Sequence, residues 1–255
     1  MFEKQDVQGE TASYTYPIHR VGITGLAFSG SIKVGQQITS LAGEIDCLAY
    51  LSEEKRGTHM SRMVRAINQL IEQPLTFELL RDTLLDLQKN LETKACEFRI
   101  RSSFILKKKA PITDNIGYEK YGLDIVVNEE DGDYIQSNTL KILGTSLCPA
   151  SKKNSKYGAH SQRSLIEVQY NGELQISDYM TTIDTCFSSP IFPLLKLEDE
   201  KMVTETAYEN AKFVEDIVRE TAKKLTAANL KYQSIKCTNY ESIHSHNAFA
   251  VVHYE

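Results

Sequence analysis

Met60-Ser61-Arg62-Met63-Val64-Arg65-Ala66-Ile67-Asn68-Gln69-Leu70-Ile71-Glu72-Gln73-Pro74 is where the hydrophobic period of the chain changes. Met60, Met63, Val64, Ile67, Leu70 and Ile71 recur at three- and four-residue intervals, the spacing of one helical face. Pro74, which has no N–H to continue the ladder, ends the run. Upstream lie two long β-rich stretches, Ile18–Val34 and Gln37–Leu51, broken near Gly35. Downstream, Thr76 is placed to cap a second helix that carries Leu80, Leu84, Leu87 and Leu91 on one stripe. Strand character returns at about 96–108 and 118–128, so the first half reads ββααββ.

The second half repeats the pattern. Asp131-Gly132 is a two-residue hairpin signal, followed by a strand over 134–147. A polar loop leads to a strand over 164–170, and Asn171-Gly172 turns the chain again. A short helix is expected over 178–187 with Ser177 as its cap. A longer one is expected over 204–226, with Ala207, Tyr208, Ala211, Val214, Ile217, Val218 and Leu225 on one face. Strands over 230–239 and 248–254 close the pattern. The fold class is therefore α+β: tandem ββααββ units, at 14–130 and 131–255, preceded by a loose polar arm at 1–13. Each unit is expected to be an antiparallel sheet with two helices on one face. Sheets this small have open edges, which closure into a barrel by oligomerisation would hide.

The chain has 255 residues, enough for a sizeable core. Its net charge of −5 argues against nucleic acid as the main partner, since phosphate binding normally brings a basic surplus. No apolar run is long enough to cross a bilayer and no signal pattern opens the chain, so no membrane partner and a cytoplasmic location are expected. The cysteines Cys47, Cys96, Cys148, Cys186 and Cys237 are odd in number and form no CxxC pair, which fits neither a disulfide framework nor a zinc ribbon. Four sit among apolar or β-type neighbours and read as buried thiols. Cys148, in a polar loop and followed by Pro149, does not.

Polar clusters carry the candidate chemistry. Ser146-Leu147-Cys148-Pro149-Ala150-Ser151-Lys152 leads to Gly158-Ala159-His160-Ser161-Gln162-Arg163-Ser164, setting a thiol and an imidazole twelve positions apart with Lys152, Lys153 and Lys156 between them. Such a pair suits a transition metal, and the lysines suit an anion. A buried loop cysteine and a surface histidine would be the plainer reading. In Glu241-Ser242-Ile243-His244-Ser245-His246 two histidines at i and i+2 share a face if the segment is extended, with Glu241 close enough to act as a carboxylate base. The plainer reading there is a solvated strand end. An acidic series, Glu198-Asp199-Glu200 with Glu205 and then Glu215-Asp216, is most simply solvated charge at helix starts. Glu215, beside the apolar stripe, is a candidate for partial burial. Arg56-Gly57-Thr58-His59-Met60-Ser61-Arg62 opens the first helix with cations beside free backbone N–H groups, an arrangement that suits phosphate.

Taken in order, Gly57–Arg62, Ser146–Lys152, Gly158–Ser164, Asp199 through Asp216 and Glu241–His246 resemble GTP cyclohydrolase IB, from about Asp6 to the C-terminus. The resemblance implies the tunnelling fold, a ββααββ unit used twice per chain, assembled as a homotetramer with active sites between subunits. It implies conversion of GTP and water to 7,8-dihydroneopterin triphosphate and formate, the entry to tetrahydrofolate synthesis, with a divalent metal activating water for attack on C8. By the same resemblance Cys148, His160 and Glu200 are the metal ligands, Glu205 being near enough in sequence to replace Glu200. His244 is the acid/base with Glu241 beside it, and Glu215 holds the guanine N–H edge. His59, Arg62, Lys152 and Arg163 are candidates for the triphosphate. Relatives often carry a second cysteine where Ala150 stands, so the implied cofactor (Mn2+, Zn2+ or Fe2+) leans towards Mn2+, which accepts oxygen ligands. Competing readings are a nitrile reductase of the same fold with Cys148 as nucleophile, a pterin- or purine-binding module without catalysis, and a metal store.

Overall fold

A computed structural model describes residues 6–130 and 132–254. The first hairpin joins β1 (Ile18–Val34) to β2 (Gln37–Leu51), antiparallel. Val34 pairs with Gln37 across a two-residue turn, and Gly35 sits there at φ +59°, a conformation with little cost for glycine. A register shift between Ile23 and Leu26 marks a bulge at Gly25, whose N–H donates to Asp46 at 2.8 Å. Helices α1 (Met60–Gln69) and α2 (Phe77–Leu91) follow and pack on one another, α1 also reaching β1. Thr76 accepts from Leu79 N–H at 3.1 Å, as its N-cap position requires. The α2 stripe buries Leu80, Leu84, Leu87 and Leu91, each contributing roughly 1.5–3 kcal/mol of apolar transfer.

Three long strands come next: β3 (Ala95–Lys109), β4 (Ile116–Glu130) and β5 (Asp133–Leu147). The hairpin signal held up to Gly132, at φ +96°; Asp131 and the first five residues of the expected arm lie outside the described residues. The described part of that arm is tied down rather than loose. It forms a 3-10 turn at Val7–Gly9, and Arg56 and Gly57 donate their N–H groups to Glu10 and Gln8 carbonyls.

The remaining elements are α3 (Pro149–Asn154), β6 (Ser161–Asn171), α4 (Ile176–Asp184), β7 (Ser189–Pro190), α5 (Leu197–Glu209), α6 (Val214–Ala227), β8 (Ser234–Tyr240) and β9 (Ala248–His253). Strands hydrogen-bond in the order β1-β2-β3-β4-β5-β6-β8-β9, with β7 on β5. The α+β class stands, but as one open nine-stranded sheet in place of two separate sheets.

The chain divides into two compact units. One comprises the described residues to Ser102 with Asp124–Ser137 and Gly172–Leu174. The other comprises Ser103–Leu123, Asn138–Asn171 and the described residues from Gln175. This division differs from the chain-order boundary expected at 130, because β3, β4 and β5 are long enough to serve both units. In the second unit α6 packs on β8, β9 and α4.

Two helix expectations are corrected. The 178–187 helix starts at Ile176 after Gln175, so Ser177 lies inside it and does not cap it. The single helix expected over 204–226 is two, α5 and α6. Each start is closed by an aspartate at its third position: Asp199 accepts from Lys196 N–H and Asp216 from Phe213 N–H, both at 3.0 Å. Between them Lys212 is drawn out of helical geometry. Its N–H donates to Leu147 C=O at 3.0 Å, and its ammonium reaches the Cys186 and Phe187 carbonyls and Glu220. Among the described residues no helix is long and apolar enough to cross a membrane.

Candidate active site

The loop after β5 is built to hold Cys148 and His160 together. Cys148 N–H donates to His160 C=O at 3.1 Å, and His160 N–H donates to Ser151 Oγ at 3.2 Å, which itself donates to Cys148 C=O. Cys148 caps α3, its sulfur accepting from Ser151 N–H at 3.4 Å, and Pro149 takes the first helical position, where its missing N–H costs nothing. The cysteine is half-buried. The other four are buried, with burial pushing the Cys96 and Cys237 thiols up to about 12 and Cys47 and Cys186 upward too. The separation of Cys148 from the inert thiols, expected from sequence, is what the structure has.

The β8–β9 connection comes to the same place. Glu241 Oε2 lies 3.9 Å from His160 Nδ1, the two side chains being 10% and 14% exposed. That oxygen is buried and has no hydrogen-bond partner among the described residues. The His244 ring meets His160 edge-on at 6.4 Å and stacks on His246 at 5.1 Å. The pair shares a face although its segment is a series of bends, not the extended strand expected. Glu241, expected beside His244, faces His160. His160 Nδ1 also lies 3.0 Å from Gln162 Oε1, and Gln162 Nε2 donates to Ser146 Oγ at 2.7 Å. Neither Gln162 nor Ser146 is singled out by the sequence reading, which begins this strand at 164. Begun at Ser161, the alternation places Gln162 and Ser164 inward with Ile166 and Val168, and the inward polar pair becomes visible.

The carboxylates of the acidic series differ in burial. Asp199 is fully buried, accepting from the Ile112 and Thr113 N–H groups, the Thr113 hydroxyl and Lys196 N–H. Burial opposes its ionisation, yet these donors outweigh it and hold the carboxyl well below the usual range. Because successive helical residues point about 100° apart, the inward Asp199 turns Glu200 outward, and Glu200 is exposed. Glu205 is also exposed, 3.9 Å from Lys201. Among the described residues no group of three or more His, Cys, Asp and Glu side chains could hold a metal. Cys148 and His160 are thus joined through their backbones, with no third such side chain grouped with them among the described residues. Their donor chemistry fits a divalent transition metal for those two positions: a thiol sulfur and an imidazole whose Nδ1 is engaged, leaving Nε2. Glu215, a candidate for partial burial, is exposed in the first turn of α6.

Of the phosphate candidates, Arg163 is exposed on β6, opposite Tyr240. Lys152 is engaged, donating to Tyr208 C=O at 2.5 Å with its ammonium 4.5 Å from the Tyr208 ring. His59 and Arg62 line a cavity of 470 Å³ in the first unit with Lys55, Lys94, Asp6 and Glu92. There His59 stands 3.7 Å from Asp6, and Arg62 donates to Asn90 C=O.

Comparison with known proteins identifies the fold and the family. The uricase of Arthrobacter globiformis superposes with a TM-score of 0.54 over 93% of this chain and 94% of its own at 8% identity, which establishes the tunnelling fold and nothing further. The GTP cyclohydrolase FolE2 of Neisseria gonorrhoeae is 37% identical over 252 residues, 98% of this chain and 98% of its own length. That of Geotalea uraniireducens is 34% identical over 97% of this chain and 92% of its own. A family model described as type I GTP cyclohydrolase folE2 matches residues 5–250. On that match and those identities, the chain belongs to the type I GTP cyclohydrolase folE2 family.

Proposed function

We propose that the chain is a GTP cyclohydrolase of the type IB kind, converting GTP and water to 7,8-dihydroneopterin triphosphate and formate at the start of folate biosynthesis. One observation carries the site assignment: His160, Glu241 and His244 converge in one unit, the Cys148 backbone bonds to His160, and Glu241 keeps a buried carboxylate oxygen there that has no hydrogen-bond partner among the described residues. Family membership selects this reading over the nitrile reductase, the silent binding module and the metal store.

Removing C8 of guanine as formate requires two C–N bonds to break by hydrolysis, so protons must be delivered to ring nitrogens. His244, exposed and packed edge-on to His160, is the acid/base for these transfers. Glu241 holds the charge balance on the His160 side. Glu215, exposed on the first turn of α6, accepts the guanine N–H edge. Cys148 and His160 would hold a divalent cation (Mn2+, Zn2+ or Fe2+), with exposed Glu200 the carboxylate left to complete the set. When bound, that ion supplies Lewis acidity that makes water a nucleophile near neutral pH. Arg163, His59 and Arg62 remain the triphosphate candidates, with Lys152 committed to Tyr208.

A homotetramer belongs to the same proposal. β9 ends the strand order and exposes Phe249 and Val251, a surface suited to a second copy.

The test is to incubate metal-stripped protein with GTP, adding Mn2+, Zn2+ or Fe2+ in turn. Formate is followed together with pterin fluorescence after oxidation. Product with at least one metal is expected, and none with any metal overturns the reading.

A further inference from the structure

We infer that Gln162 is a positioning residue that fixes His160 as the tautomer with its proton on Nδ1, so that Nε2 presents the lone pair. The inference deepens the proposed function, since it rests on His160 being a ligand. It nevertheless concerns a state of the metal-free protein.

The ring is held from both sides of its backbone, through Cys148 N–H on its carbonyl and Ser151 Oγ on its own N–H. What remains to be set is which nitrogen carries the proton. Nδ1 has two neighbours. Gln162 Oε1 is at 3.0 Å and Glu241 Oε2 at 3.9 Å. A side-chain amide can be turned over, presenting its NH2 in place of its carbonyl, so the Gln162 contact alone does not choose the tautomer. The carboxylate does. A buried oxygen with no other donor is repelled by a nitrogen lone pair and attracted by an N–H. Nδ1–H then donates to the Gln162 carbonyl, which in turn aims the Gln162 NH2 at Ser146 Oγ, 2.7 Å away.

The pin is rigid because both ends are anchored. Ser146 is completely buried near the end of β5, and Gln162 is 8% exposed at the start of β6. β6 is in continuous register with β8 from Arg163 onward. A glutamine is well suited to this post. It accepts from the imidazole without adding a second negative charge next to Glu241, which a carboxylate at this position would do. Outer partners that fix a ligand histidine in this way typically govern metal affinity by about 10- to 100-fold.

The experiment uses full-length, metal-free protein labelled with 15N-histidine. Two-bond proton–nitrogen spectra are recorded at a pH where the imidazoles are neutral, with His160 assigned by the loss of its peaks in His160→Gln. Wild type is expected to show a protonated Nδ1 and an unprotonated Nε2. Gln162→Leu is expected to move His160 towards the Nε2–H form and to weaken Co2+ binding by about 10- to 100-fold. Gln162→Glu, which still accepts from Nδ1, should keep the wild-type tautomer. Should the leucine variant fail to fold, Ser146→Ala loosens the same amide without added bulk and should show a smaller change of the same kind. A wild-type His160 protonated on Nε2, or a tautomer unchanged in every variant, overturns the inference. A tautomer that behaves as stated in a protein whose His160 spectra ignore Co2+ upholds the inference and overturns the ligand reading instead.

Discussion

The cationic entrance to α1 and the loop from Cys148 to His160 are both crowded with polar side chains, yet they differ in what those side chains touch. At α1 each cation has an occupation. Lys55 donates to the Leu91 and Glu92 carbonyls, which are the end of α2, and lies 3.3 Å from the Glu92 carboxylate. Arg62 reaches Asn90 C=O, Arg56 pairs with Glu10, and His59 sits by Asp6. Cations on the final carbonyls of a helix oppose its negative end, so this cluster works first as a cap for α2. Around the second loop the partners run out. Among the described residues Glu241 Oε2 has none, and the His244 ring stacks on His246 and meets His160 edge-on. A buried acceptor without a donor costs about 1–3 kcal/mol, a cost that structure alone gives no reason to carry. The contrast separates polar residues that complete the fold from polar residues whose bonding capacity the fold leaves open.

The largest expected effect tests the available set. Cys148→Ala should lower kcat by at least about 10³, roughly 4 kcal/mol of transition-state stabilisation, and should abolish stoichiometric metal measured by elemental analysis. Metal retained with activity gone would make Cys148 a nucleophile and not a ligand. Next comes His244→Ala, expected to keep its metal while kcat falls by about 10² to 10⁴, the usual worth of a positioned acid or base. Metal lost from that variant would move His244 into the ligand set and break the division of roles drawn here.

A third prediction concerns carboxylates that belong to the structural side of the comparison. Asp46 pairs with Arg101 at 2.7 and 2.8 Å and accepts Gly25 N–H; the Arg101 hydrogen bond, against an opposing burial effect, holds its carboxyl low. Asp199 is low for the reasons already given. Both folded-state values lie below the unfolded ones, so the stabilisation is complete above about pH 4 and is lost as pH falls through the folded values. Thermal denaturation should therefore show Tm dropping below about pH 4, and the drop should shrink in Asp199→Ala and in Asp46→Asn. A Tm profile in these variants parallel to wild type would remove these two groups as its cause.

How legible this was depends on range. Helices α1 and α2 follow from local periodicity, and the Thr76 cap from one residue, because those signals act within a turn or two. The break between α5 and α6 was written in a repeated pattern, Leu197-Glu198-Asp199 and Val214-Glu215-Asp216, each closing with the aspartate that caps its helix. It was masked because the apolar stripe continues across it, and because Lys212 leaves the helix for partners at Leu147 and Cys186 that are distant in sequence. The Cys148 and His160 pairing was readable as a spacing, and the approach of Glu241 only from the fold. Burial within the acidic series was the least legible. Asp199 and Glu200 are adjacent and alike as letters, but helical rotation buries one and exposes the other.

The smallest effect is the one that bears most directly on the comparison. If the α1 cations are caps, Lys55→Ala should cost about 1 kcal/mol, a Tm decrease of about 2–4 °C for a chain of this length, with kcat and the KM for GTP nearly unchanged. Arg62→Ala should behave likewise if its bond to Asn90 is its main task. If Arg62 also holds triphosphate, the two variants part company: the KM for GTP rises in Arg62→Ala and not in Lys55→Ala, and the rise shrinks at high salt, because a phosphate contact is screened while a fold defect is carried equally at every substrate concentration. Measuring KM and Tm together on both variants at low and high salt thus decides whether one cation of the capping cluster has a second occupation, or whether the division between cap and site is complete.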